Sequence, residues 1–195
     1  MENELIKKIY TDIDRFIGTQ SNCCKKGCAY CCHQQIEVMN VEKEVINEFI
    51  TSELSDQTKE IIKENLNVWL DYFDSNTPDN KTLDGNDVFK DFGSKAAKDG
   101  LKCPFLIDNL CSIYEMRPMT CRVHIVESEP EFCNKNKLRD STPNSFHTRL
   151  KIVNFLRSKS ELRIEPLPYT VKHLFLPDRQ LKPIEKNGNR IDHYK

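Results

Sequence analysis

The chain has 195 residues, of which 38% are apolar and 30% charged, and its formal net charge is −1. This length suits one domain with a real hydrophobic core, or one domain with a small appendage. The balanced charge gives no reason to expect a nucleic-acid or membrane-surface partner. The apolar runs are too short for a transmembrane helix.

The N-terminal stretch MENELIKKIYTDIDRF alternates apolar and charged residues. A signal peptide needs an uninterrupted apolar segment, so we expect a cytoplasmic protein. Thiols stay reduced in that compartment. A dense cysteine pattern there indicates metal or redox chemistry rather than a disulfide framework.

Apolar residues at three- and four-residue spacing predict a mainly α fold. The predicted helices cover residues 2–17, 41–54, 57–73, 86–98 and 143–158. Residues 28–33 are predicted to form a helical turn, and the alternating residues 34–39 an extended segment.

The prolines and turn residues of segments 23–33 and 100–133 predict irregular structure. We therefore predict a small helical domain over residues 1–160 with two irregular cysteine-rich metal-binding segments. A helical insert over about 40–100 separates these segments, and residues 161–195, with four prolines, are predicted to form an extended C-terminal tail.

The nine cysteines form two groups, with 70 residues between them that contain no cysteine. The first group is Cys24, Cys28, Cys31 and Cys32, with Cys23 just before it. The second group is Cys103, Cys111, Cys121 and Cys133. Spacings of two or three residues let a tight turn aim two thiolates at one ion, as in zinc knuckles and iron–sulfur loops.

We interpret these eight cysteines as metal ligands. A disulfide-linked core is disfavoured by the expected cytoplasm, and inert buried thiols fit such tight clustering poorly. The adjacent residues Cys31 and Cys32 cannot easily aim at the same point, so one of them would serve a second metal or bridge two.

The identity of the metal stays open at this point, because thiolates suit zinc and iron–sulfur clusters about equally. Eight thiols would complete two closed four-thiolate zinc sites. A 4Fe–4S cluster would use three or four of them and leave the rest for zinc or a second cluster. The Cys31–Cys32 doublet favours a cluster slightly.

The stretches CKKGCAYCC (24–32), CPFL (103–106) and CSIYEMRPMTCR (111–122) together resemble the YkgJ-like cysteine-cluster family, whose CxxCxxCC domain is described as zinc- or iron-chelating. The resemblance covers about residues 24–133. The first gap holds three residues where the family's name implies two, and starting at Cys23 would make it four. Cys24 is therefore preferred as the first ligand, with Cys23 as the alternative.

The same domain occurs in flagellin lysine N-methylases, which resemble this chain only in the metal domain and are longer. That resemblance implies an alternative function: an iron–sulfur-dependent methyltransferase that uses S-adenosylmethionine on a protein substrate. The spacing of Cys24, Cys28 and Cys31 also matches radical S-adenosylmethionine enzymes. Those enzymes need a large α/β barrel, which 195 mostly helical residues cannot supply.

Charged neighbours of the cysteines would support the site. Four thiolates around a divalent ion leave a charge of about −2, which Arg117 and Arg122 are placed to offset. His33 adjoins Cys32 and His124 lies three residues after Cys121, so both are candidates to replace a thiolate. Lys25 and Lys26 are expected to be solvated.

Two function classes therefore remain. One is a metal-binding protein without its own reaction, whose partners are metal ions and a client protein. The other is an enzyme with methyl-transfer or redox chemistry at an iron–sulfur centre. The sequence contains no Gly-x-Ser-x-Gly, phosphate-binding glycine loop or His-Glu-x-x-His motif that would add another chemistry.

Overall fold

The computed structural model describes residues 2–22, 24, 27–79, 81–127, 133 and 141–185. The mainly α prediction is confirmed, and the strands are short. The elements in chain order are α1 (Glu2–Gly18), β1 (Glu37–Met39), α2 (Lys43–Glu53), α3 (Asp56–Ser75), α4 (Gly85–Asp87), α5 (Gly93–Asp99), β2 (Leu106–Ile107), β3 (Leu110–Cys111), α6 (Met119–Val123), α7 (Pro143–Arg157), β4 (Ile164–Pro166) and α8 (Leu167–Phe175).

Each long helix forms where apolar spacing predicts it, to within a few residues at each end. Two of them begin with side-chain caps, as Ser55 accepts a hydrogen bond from the Thr58 N–H and Thr142 accepts one from the Ser145 N–H. The predicted helix at 86–98 is present as α4 and α5 joined by a π-helical turn at Val88–Phe92.

The segment of residues 161–185 differs from the predicted extended tail. It contains β4 and the helix α8, and Leu167 and Val171 of α8 are buried. The prolines led to the wrong expectation because Pro168 lies in the first turn of α8, where no backbone N–H is needed and proline is tolerated.

Two short antiparallel pairs connect distant segments. Strand β1 pairs with β4, with Val38 opposite Glu165, so the chain after the first cysteine group is tied to its C-terminal part. Strands β2 and β3 form a hairpin whose turn residues Asp108 and Asn109 both have positive φ. Such a turn matches the twist of paired strands and suits Asp and Asn.

The hydrophobic core includes residues from the helices and from the second cysteine-rich segment. Ile6 of α1, Ile46 of α2 and Leu66 of α3 are fully buried in one cluster with Phe105 and Met119. The loops that carry the cysteines are therefore packed into the same core as the helices. Within the described ranges, no helix is long and apolar enough to cross a membrane.

A buried carboxylate connects three parts of this core. Glu42, fully buried, accepts hydrogen bonds from the Tyr10 hydroxyl at 2.6 Å, the Met39 N–H at 3.0 Å and the Met119 N–H at 2.6 Å. Burial raises the pKa of Glu42, and the three donated hydrogen bonds oppose that rise. The side chain thus joins α1, the end of β1 and the start of α6.

Replacing Glu42 with alanine should destabilise the fold, because three buried donors lose their acceptor. We expect E42A to lower the free energy of unfolding by about 2–4 kcal/mol, measured by urea denaturation followed by circular dichroism. The matched control is E48A on the exposed side of α2, where we expect a change within about 0.5 kcal/mol. Equal stability of the two variants would show that the buried carboxylate does not hold these elements together.

Candidate metal centre

The two cysteine groups line one cavity of about 180 Å³. Seven of the eight cysteines predicted as ligands contribute to its lining, namely Cys24, Cys28, Cys31, Cys32, Cys103, Cys111 and Cys121. The groups also meet through the backbone, since the Cys103 N–H donates to the Cys32 carbonyl oxygen at 2.7 Å. Residues far apart in the chain are therefore side by side at this cavity.

Local backbone geometry positions each group. In the first group, Gly27 has a φ of 88°, which turns the chain between Cys24 and Cys28. The 3₁₀ turn Tyr30–His33 then presents Cys31 and Cys32. In the second group, Cys103 precedes the β2–β3 hairpin, Cys111 ends it, and Cys121 lies within α6.

The eighth predicted ligand, Cys133, is buried beside a second, smaller cavity of about 20 Å³. Cys24, Cys28 and Cys31 line this cavity as well. The larger cavity and the smaller one therefore adjoin each other along the first cysteine group.

Backbone N–H groups already point at several of the sulfurs. The N–H groups of Phe105, Ile113 and Val126 donate to Cys103, Cys111 and Cys24, respectively, and each such bond lowers the pKa of its thiol. Donors of this kind spread the negative charge of metal-bound thiolates. The chemistry of the site therefore fits a thiolate-bound metal.

Without a cation, most of these thiols resist ionisation. Burial, followed by repulsion from Cys111, raises the pKa of Cys103 to about 12. Burial likewise raises the pKa of Cys121 and Cys111, and nearby thiolates add to the rise. A bound metal ion would supply the positive charge that deprotonation requires.

The adjacent thiols of Cys31 and Cys32 form a hydrogen bond with each other. The Cys32 thiol donates to Cys31, which lowers the pKa of Cys31 to about 7 and raises that of Cys32. That one of these two residues serves a second metal, or bridges two, stays a prediction. Cys31 nevertheless lines both cavities, whereas Cys32 lines the larger one.

The two arginines of the second segment lie beside the larger cavity. Arg122 is 2% exposed, donates to the Arg117 carbonyl oxygen at 2.9 Å and to the Asp14 carboxylate, and stacks over the Tyr10 ring. Arg117 donates to the Tyr114 carbonyl oxygen at 2.9 Å and pairs with Asp14 at 3.3 Å. Both guanidinium groups lower the pKa of Cys111, as expected for cations near thiolates.

The two histidines have different surroundings. His33 donates from Nδ1 to the Gly100 carbonyl oxygen at 3.0 Å. His124 lines both cavities and is the better placed of the two to join a ligand set. The predictions for Cys23, Lys25 and Lys26 lie outside the described residues.

The thiols are gathered but not yet in coordination geometry. Among the side chains described in ranges 2–22, 24, 27–79, 81–127, 133 and 141–185, no three Cys, His, Asp or Glu residues form a ready-made metal site. Binding would therefore draw the sulfurs closer together, which a lining of turns and short elements permits.

Both cysteine groups fall inside a match to a known family. The profile of the family described as "CxxCxxCC: Putative zinc- or iron-chelating domain" matches residues 22–140, which is more than half of the chain. The chain belongs to the CxxCxxCC family. No curated protein and no solved structure matches it.

Two polar residues, one of them outside the matched domain, were not expected at the site from the sequence. Asp14 pairs with both arginines, and Gln35 lines the larger cavity, where its buried amide atoms have no hydrogen-bond partner among the described residues. Asp14 lies on an amphipathic helix among several other charged residues, and Gln35 follows another glutamine. Neither position carries a sequence signal that separates it from a solvated surface residue.

Replacing Arg117 with glutamine should shift metal binding to higher pH, because the guanidinium lowers the pKa of Cys31, Cys111 and Cys121. We expect the midpoint of Co²⁺ binding, followed by thiolate-to-metal absorbance, to rise by about half a pH unit. R117K keeps the charge and should stay closer to the wild type. An unchanged midpoint in a stably folded R117Q variant would exclude this electrostatic role.

Proposed function

We propose that this chain is a metal-binding protein that uses thiolates to hold an iron–sulfur cluster, zinc or both. The proposed ligands are Cys24, Cys28, Cys31, Cys32, Cys103, Cys111, Cys121 and Cys133. The observation that carries the proposal is the meeting of two distant cysteine groups at two adjoining cavities.

Three features support metal binding over inert burial of the thiols. All eight described cysteines are free, in keeping with a reducing cytoplasm. Backbone N–H groups donate to Cys103 and Cys111, and two arginines lie near enough to Cys111 to lower its pKa, which inert thiols would not need. The family description names zinc and iron as the metals.

The hydrogen-bonded pair Cys31–Cys32 favours an iron–sulfur cluster as one occupant. Simple zinc knuckles rarely need adjacent thiols, whereas a cluster, or a cluster beside a second metal, can use both. We propose a 4Fe–4S cluster, with zinc as the alternative occupant of the same thiols.

Metal analysis tests the proposal directly. Protein purified without oxygen should contain about four irons and four acid-labile sulfides with broad absorbance near 400 nm if a 4Fe–4S cluster is bound. Colourless protein with about two zinc ions per chain would establish the zinc alternative. Folded protein that retains no metal and takes up neither zinc nor reconstituted iron–sulfur cluster would overturn the proposal.

The pair Cys23 and Cys24 offers a matched test of the ligand set. We expect C24S to lose metal and C23S to keep it, because Cys24 lies beside Cys28, Cys31 and Cys133 at the smaller cavity. The metal content per chain, measured on folded samples of both variants, decides whether Cys24 or Cys23 is the first ligand. Loss of metal in C23S with retention in C24S would move the first ligand to Cys23.

The size of the larger cavity favours a second candidate function. Its lining continues past the thiols to Gln35, Ile36 and Leu167, so a ligand could lie next to the metal. We therefore propose, as the alternative, an iron–sulfur-dependent methyltransferase that uses S-adenosylmethionine on a protein substrate. Equilibrium dialysis of the anaerobically purified protein against labelled S-adenosylmethionine tests it, and absence of saturable binding would discard it.

A further inference from the structure

The eight thiols are shared unequally between the two cavities. Among the described residues, the smaller cavity is lined by four cysteines, namely Cys24, Cys28, Cys31 and Cys133. All of these except Cys133 also line the larger cavity, whereas the other four cysteines line only the larger cavity, namely Cys32, Cys103, Cys111 and Cys121. Each set has the number of thiolates that one four-coordinate zinc ion or one 4Fe–4S cluster takes.

Cys31 lies at the junction, because it lines both cavities and adjoins Cys32 in the chain. Its assignment follows from counting. Cys32, Cys103, Cys111 and Cys121 make a complete set without it, whereas Cys24, Cys28 and Cys133 need a fourth sulfur and share their cavity with Cys31.

We propose that the chain has two separate four-thiolate metal sites. The central site consists of Cys32, Cys103, Cys111 and Cys121, and the peripheral site of Cys24, Cys28, Cys31 and Cys133. This inference rests on the proposed function and adds to it the membership of each site. The neighbours Cys31 and Cys32 then belong to different sites, which places the two metals side by side.

The two sites differ in how firmly the fold holds them. Three of the four central ligands, all from the second cysteine group, alternate along the chain with the core residues Phe105, Ile113 and Met119, which are at most 1% exposed. The peripheral ligands Cys24 and Cys28 lie in the irregular stretch before the 3₁₀ turn. The peripheral metal should therefore leave first when a chelator is added, because the central ligands cannot spread apart without disturbing the core.

Titration of the full-length metal-free chain with ¹¹³Cd²⁺, followed by NMR, tests the partition. We expect about two resonances in the range of four-thiolate cadmium, one per site. C24S and C133S should each lose the same resonance, and the double variant C24S/C133S should lose no more than either alone. C121S should lose the other resonance, and C121S/C133S should lose both.

The outcomes separate this inference from the function on which it rests. A wild-type chain that binds no cadmium, zinc or iron overturns the proposed function itself. A chain that binds metal but loses the same resonances in C121S and C133S has one shared site, so the partition fails while metal binding stands. Loss of both resonances in C31S would also overturn the partition, because Cys31 would then bridge two metals.

A measurement on the wild-type protein tests the two-site partition without depending on whether the variants fold. The cadmium-loaded protein is treated with a limiting amount of chelator, the freed thiols are alkylated, and the labelled cysteines are mapped by mass spectrometry. We expect Cys24, Cys28, Cys31 and Cys133 to be labelled several-fold faster than Cys32, Cys103, Cys111 and Cys121. Uniform labelling of all eight would contradict two sites of unequal lability.

Discussion

The cost of burying negative charge governs the cysteine-rich region. Thiolates repel one another and lose solvation when they are gathered away from water, and these two effects raise the pKa of Cys103 and Cys121. Fixed hydrogen-bond donors and cations of the fold reduce the free-energy cost of forming thiolates there. Backbone N–H groups point at Cys24, Cys103 and Cys111, and Arg117 and Arg122 lie beside Cys111. A bound metal cation would balance the negative charge of the thiolates that these groups leave uncompensated.

The arginines can act in this way because the core holds them. Arg122 is buried against the Tyr10 ring, and Asp14 on the same helix pairs with both guanidinium groups. Helix α1, which contributes no cysteine, thus fixes the cations of the thiol region. Removing α1 would therefore change the charge balance at the sulfurs as well as the hydrophobic core.

The sequence was most informative where a regular physical pattern exists. Apolar spacing predicts the long helices because one face of each must be buried, and the capping residues Ser55 and Thr142 are found at helix starts. The spacing of the cysteines predicted two groups of metal ligands, whereas their meeting at one cavity is a property of the tertiary fold. Helix α8 was missed because its prolines resemble loop punctuation, although Pro168 occupies a position in the first turn where proline is allowed. The roles of Asp14 and Gln35 had no sequence signal, because single polar residues acquire partners only through the tertiary fold.

The carboxylate of Glu42 also links the region of the thiols to the β1–β4 pair. It is bonded both to Met119, two residues before Cys121, and to Met39 at the end of β1. Strand β1 is in turn paired with β4, which leads directly into α8. The backbone two residues before Cys121 is therefore linked, through Glu42 and the β1–β4 pair, to the start of α8. A substitution at Glu42 would loosen this link between the thiol region and α8 as well as weaken the core.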